Sequence, residues 1–135
     1  MLMYKFIQNN KMKLELAEIL NLEGIEVENY CNLGKELVID VEMKGVKATC
    51  PRCGNISHNL HQNHHHLIRD LPLSNREVFL RVNRRQFKCQ ICQKPFSEEL
   101  HFVEKRKKFT KRYASFITQQ LNSSSPVPIL LEDNR

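Results

Sequence analysis

The chain has 135 residues, 41% of them apolar, with seven Phe, three Tyr and no Trp. That length fits one modest domain or two very small ones, with cores small enough for a bound metal to matter to folding. The net charge of +6 is unevenly placed: residues 1–48 hold six basic and eight acidic side chains, net −2, while residues 81–112 hold eleven basic and three acidic, net +8. A positive field confined to one segment points to a polyanionic partner, most often nucleic acid. No apolar run approaches the ~20 residues of a membrane span. Residues 1–13 also lack the charged-then-apolar plan of a secretory signal. Five cysteines, four of them at metal spacing, fit a reducing compartment better than a disulfide scaffold. A cytoplasmic protein with no membrane partner is expected.

In chain order, Met12, Leu16, Ile19 and Leu20 recur at helical spacing. They predict a short amphipathic helix over residues 12–20, packed on a sheet and ended by Asn21 and Gly24. From Glu36 to Met43, Leu37, Ile39, Val41 and Met43 alternate with Val38, Asp40 and Glu42. This pattern predicts a half-buried strand, paired in a hairpin with an arm over Val27 to Tyr30. Lys44-Gly45 reads as a turn, after which Val46 to Thr49 leads to Cys50. Cys31 has no partner at ligand spacing and is expected to be a small buried residue.

Two cysteine pairs follow, Cys50-Pro-Arg-Cys53 and Cys89-Gln-Ile-Cys92. Together they supply four thiolates, the number a tetrahedral structural Zn2+ site needs, and two intervening residues let both sulfurs of a pair reach one ion. Gly54 suits a tight knuckle because glycine tolerates positive φ. The 35 residues between the pairs exceed the usual zinc-finger gap. They must hold structure of their own, most simply strands running out and back. The first part is polar and contains His58, His61, His64, His65 and His66. On an extended strand His64 and His66 share a face and His65 does not. They are read as exposed or groove-facing groups. After a turn at Ser74-Asn75, Arg76 to Lys88 is the clearest strand. Val78, Leu80 and Val82 occupy the inward face, and Arg81 and Arg85 point away from it.

Beyond the second pair, Gln93 to Phe96 closes the knuckle, and the basic run Lys105-Arg-Lys-Lys108 leads to Thr110, a helix cap. Tyr113, Phe116, Ile117 and Leu121 then recur at helical spacing. Ser123-Ser-Ser-Pro126 breaks the pattern, and residues 122–135 are expected to be a disordered tail. No glycine-rich phosphate loop and no nucleophile-and-base arrangement stands out, so no catalytic residues are assigned.

These elements together resemble the N-terminal end of bacterial insertion-sequence transposases of the ISL-three type. The matching strings are Leu22-Glu-Gly-Ile-Glu-Val27, Cys50-Pro-x-Cys53-Gly54, Arg69-Asp-Leu-Pro72, Arg84-Arg-x-Phe87-x-Cys89 and Phe96-Ser-Glu, and the resemblance covers roughly residues 14–121. The resemblance implies a zinc-binding unit followed by a helix-turn-helix, placed on the ends of the mobile element ahead of a ribonuclease-H-type catalytic domain. It implies Cys50, Cys53, Cys89 and Cys92 as ligands and a first helix of the helix-turn-helix near Phe109. Some members separate the second cysteine pair by more than two residues. The match stops after Leu121, so the rest of the helix-turn-helix and the catalytic region are expected to be missing, as in a truncated reading frame.

The expected fold is α+β. A short helix and hairpin (1–48) lead into a zinc-ribbon-like β unit (49–100), then a basic linker and first helix (101–121) and the tail. The expected function is binding of double-stranded DNA at insertion-sequence ends, mainly through phosphates and without catalysis. The candidate contacts are Arg81, Arg84, Arg85, Lys88, Lys105, Arg106, Lys107, Lys108, Lys111 and Arg112. A structural or protein-interaction ribbon is the alternative. A thiol oxidoreductase would need an exposed, low-pKa cysteine outside a metal site.

Overall fold

The computed structural model describes residues 2–122, with side chains from residue 10 onward; residues 123–135 of the predicted tail lie outside the described residues, and Asn122 is helical. Helix α1 (Leu2–Leu20) leads into β1 (Ile25–Asn32) and β2 (Glu36–Met43). Two short strands follow, β3 (Ala48–Thr49) and β4 (Ile56–Ser57). The long pair β5 (Leu60–Leu73) and β6 (Arg76–Lys88) comes next, then β7 (Pro95–Ser97) and α2 (Lys111–Asn122).

The main sheet has five strands in the order β1-β2-β6-β5, with β7 added to β6. In each hairpin one strand, β2 or β6, carries the alternation read in the sequence. Ser74 and Asn75 take φ of 51° and 61°, the left-handed pair that a two-residue hairpin turn demands. The β2–β6 pairing is parallel and covers residues 77–83 of β6, and β7 takes up the same neighbourhood at residues 86–88. One continuous sheet therefore crosses the predicted parting at residue 48, and β2 is an inner strand of it.

The sheet carries its cores on opposite faces of β6. Ile39, Val41, Ile68, Val78, Leu80 and Val82 face Leu20, Ile25, Leu100 and Phe102 in the larger cluster. Further along the strand, Phe87 and Cys89 join Cys50 and Phe96 in a second cluster. The register of β6 advances without a slip against β2 and β7, and its two shifts against β5, at Leu60/Gln62 and Asp70/Leu73, put the extra residue on β5. Side chains therefore alternate strictly, and what changes along the strand is the face that other elements cover.

Three expectations change in this setting. The inward face of α1 is Leu16, Ala17 and Leu20, while Met12 and Ile19 are exposed. Cys31 is exposed as well. A bulge between Val27 and Asn29 shifts the parity of β1, so Tyr30 turns inward and Cys31 outward. Arg85 does point away from the Val82 face as read, but that side is covered, so Arg85 is buried.

Candidate functional site

The four cysteines that could hold a metal ion sit on two knuckles with the same backbone plan. In the first, the Cys50 N–H donates to Asn55 O and the Gly54 N–H to Cys50 O, both at 2.8 Å. In the second, the Cys89 N–H donates to Lys94 O at 3.0 Å and the Gln93 N–H to Cys89 O at 2.8 Å. Gly54 has φ 77°, as its sequence position implied, and Gln93 occupies the matching left-handed position at φ 59°. Glutamine carries no signal for that conformation, so the symmetry of the knuckles was hidden. Arg52 joins them. Its guanidinium donates to Lys94 O and Pro95 O at 3.0 and 3.2 Å, a link that spacing alone does not reveal.

The four sulfurs of Cys50, Cys53, Cys89 and Cys92 all lie within 4.8 Å of one another. Cys50 and Cys89 are buried, Cys92 is partly buried and Cys53 is exposed. The Asn55 backbone and side-chain N–H groups bring the Cys53 thiol down to about 6. At Cys50 burial opposes ionisation, but backbone N–H groups of Cys53 and Arg52 outweigh it and lower the thiol. Cys92 is pushed up to about 11, first by its contact with Cys53 and then by burial. Backbone donors thus favour thiolates at the first pair, and crowding resists a further negative charge at Cys92. A divalent cation relieves that conflict. Four soft donors with no open position form a closed, structural tetrahedral set. Bound there, zinc would cross-link the β3–β4 turn to the end of β6 and supply folding free energy.

The ten basic candidates separate into two kinds. Arg85 and Arg112 are committed internally. Arg85 forms a two-pronged pair with Glu98, Nε to Oε2 at 2.9 Å and Nη2 to Oε1 at 3.0 Å, and donates from Nη1 to Gly45 O. Arg112 forms the same kind of fork on Asp70, at 2.8 and 2.6 Å, and reaches Leu20 O. Neither guanidinium is presented to a ligand, because each neutralises a carboxylate that packing has buried. The remaining candidates lie at the surface. Lys88, Lys105, Arg106, Lys107, Lys108 and Lys111 are exposed, Arg81 pairs loosely with Asp40 at 3.5 Å, and exposed Arg84 is steadied by Nε donating to Glu98 O. Thr110 caps α2 as expected, its Oγ1 accepting the Tyr113 N–H while donating to Asp70. Among the described residues, no helix is long and apolar enough to cross a membrane.

Comparison with known proteins agrees with this geometry. Residues 47–92 match the family model described as the zinc-finger of transposase IS204/IS1001/IS1096/IS1165. The chain is also 30% identical over 92 residues to the transposase for insertion sequence element IS1001 of Bordetella parapertussis. That alignment covers 68% of this chain and 23% of the relative, so the chain spans about a quarter of the transposase's length. No solved structure matches. Residues 47–92, with both cysteine pairs inside the match, are thus similar to the zinc ribbon of the ISL3-type insertion-sequence transposases.

Proposed function

We propose that this chain binds double-stranded DNA at insertion-sequence ends, chiefly through phosphates, and carries out no chemistry itself. Zinc held by Cys50, Cys53, Cys89 and Cys92 fixes the ribbon. Arg81, Arg84, Lys88, Lys105, Arg106, Lys107, Lys108 and Lys111 supply the contacts. The observation that carries the reading is the division among the cations: two are consumed by buried carboxylates, while the others stay exposed around the end of β6 and the loop leading to α2. Such groups give affinity with little sequence choice, since phosphates are alike along any duplex. In this reading α2 opens a helix-turn-helix, and base readout would fall to a later recognition helix.

The test is fluorescence anisotropy of the zinc-loaded chain with element-end and random duplexes. Comparable binding to both, weakened by Arg84→Ala, is expected. Absence of binding to either, together with retention of an acidic protein partner in the presence of excess DNA, would favour the protein-interaction ribbon instead.

A further inference from the structure

The outer part of the β5–β6 ribbon gathers histidines that neither the metal group nor any ion pair uses. His64 and His66 lie on one face of β5, their rings stacked with centroids 6.4 Å apart. Across the strand, His64 is paired with Arg84 and His66 with Val82, so Arg84 shares that face. Arg84 is anchored through Nε on Glu98 O, and its terminal nitrogens make no hydrogen bond among the described residues. Gln62 steadies His64 through a 2.8 Å hydrogen bond at Nε2.

The loop before α2 adds a lysine. The Arg69 N–H donates to Lys108 O and the Thr110 N–H to Arg69 O, both at 2.9 Å, which lays residues 108–110 along the edge of β5. Phe109 forms a parallel bridge with Arg69, three residues beyond His66. Lys108 is thereby carried to the histidine stretch.

We propose that His64, His66, Arg84 and Lys108 form a phosphate-binding site for the nucleic-acid backbone, in which His66 takes up a proton as the phosphodiester binds. This inference rests on the DNA-binding reading and assigns it a particular face. The charged and titratable groups around His66 are His64 and His65 from its own strand, Arg84 from β6 and Lys108 from the loop. Partial desolvation first, and then these neighbours, holds the largely exposed His66 imidazole below its ordinary value. A phosphate seated among them reverses the local field and favours the imidazolium. The same surroundings oppose a second metal ion at the histidine pair, because they repel a divalent cation and attract an anion.

The sign of the linkage follows. A pKa that is depressed in the free protein and raised in the complex means proton uptake on binding. Affinity for DNA then rises as pH falls through the bound-state value and levels off below the free-state value, by up to about tenfold per pH unit for each proton taken up.

The experiment is anisotropy with a short random duplex at constant ionic strength, using the zinc-loaded full chain between about pH 5 and pH 8. The expected result is tighter binding on acidification. His66→Gln and the double variant His64→Gln with His66→Gln should flatten that dependence. Both residues are exposed on the strand, and zinc content checks that the ribbon is intact. Alongside, NMR titration of the His66 ring should move to higher pH when duplex is present. A double variant that keeps the full pH dependence, or a His66 titration unmoved by DNA, overturns this inference while leaving DNA binding standing. A protein that binds no duplex at any pH overturns the DNA reading itself.

Discussion

Arg84 and Arg85 are adjacent on β6 and have opposite fates. Successive side chains on a strand face opposite ways, and here one face meets solvent while the other meets Glu98 and Phe87. Arg85 lies 5.3 Å from the Phe87 ring centroid and forks onto Glu98, with both side chains less than a tenth exposed. Truncating one member of such a pair leaves the other charge buried alone. Arg85→Ala should therefore destabilise the protein by about 3 to 5 kcal/mol, read as a lowered urea midpoint. Arg84→Ala should leave that midpoint within about 0.5 kcal/mol and weaken duplex binding. The reverse pattern would mean that the two roles had been exchanged.

At the scale of elements, Asp70 ties three of them together. It is buried on β5, accepts from Thr110 at the cap of α2 and from Arg112 on its first turn, and Arg112 in turn donates to the last residue of α1. The carboxylate thus sets where α2 starts and how it leaves the sheet. Asp70→Ala removes these charge-assisted bonds at a cost of about 2 to 3 kcal/mol. Amide exchange should accelerate in α2 while protection at Leu80 and Val82 holds; equal loosening of both would show that the contact serves the whole fold. Local patterns made much of this architecture legible. Alternation bounded β6 at Arg76 and Lys88, the Ser74-Asn75 turn located its hairpin, and Thr110 announced α2. The four cysteines declared themselves by spacing. What stayed hidden was non-local. Asp70 and Arg112 are 42 residues apart, and nothing near Arg112 distinguishes it from the surface cations beside it. Arg85 was read on the correct face of its strand, but which face becomes covered depends on Glu98 and the second knuckle, brought in by folding. On α1, Ile19 fits the apolar pattern yet lies outward, because the sheet meets only the stripe of Leu16, Ala17 and Leu20.

Across the whole molecule, the two cores predict two levels of stability. The cluster around Leu80 and Val82 is held by aliphatic packing between the sheet and its covering elements, whereas the cluster of Phe87, Phe96, Cys50 and Cys89 is small and centred on thiols. A few buried side chains contribute little alone, and a bound metal would supply what the second cluster lacks. Chelation, or Cys89→Ser, should release near-stoichiometric zinc and abolish exchange protection around residues 48–57 and 86–97. Protection at Ile39, Leu80 and Val82 should persist; full zinc retention in the Cys89 variant would remove that residue from the ligand set. In the proposed function the ribbon so fixed would present cations to a polyanion, and the salt dependence of duplex binding tests that claim most directly. Each phosphate neutralised lowers the slope of log K against log salt by roughly 0.9. Replacing Lys105, Arg106, Lys107 and Lys108 together by Ala should flatten the slope by about 3 to 4 units. An affinity that does not change with salt, or a slope that survives the fourfold substitution, would contradict it.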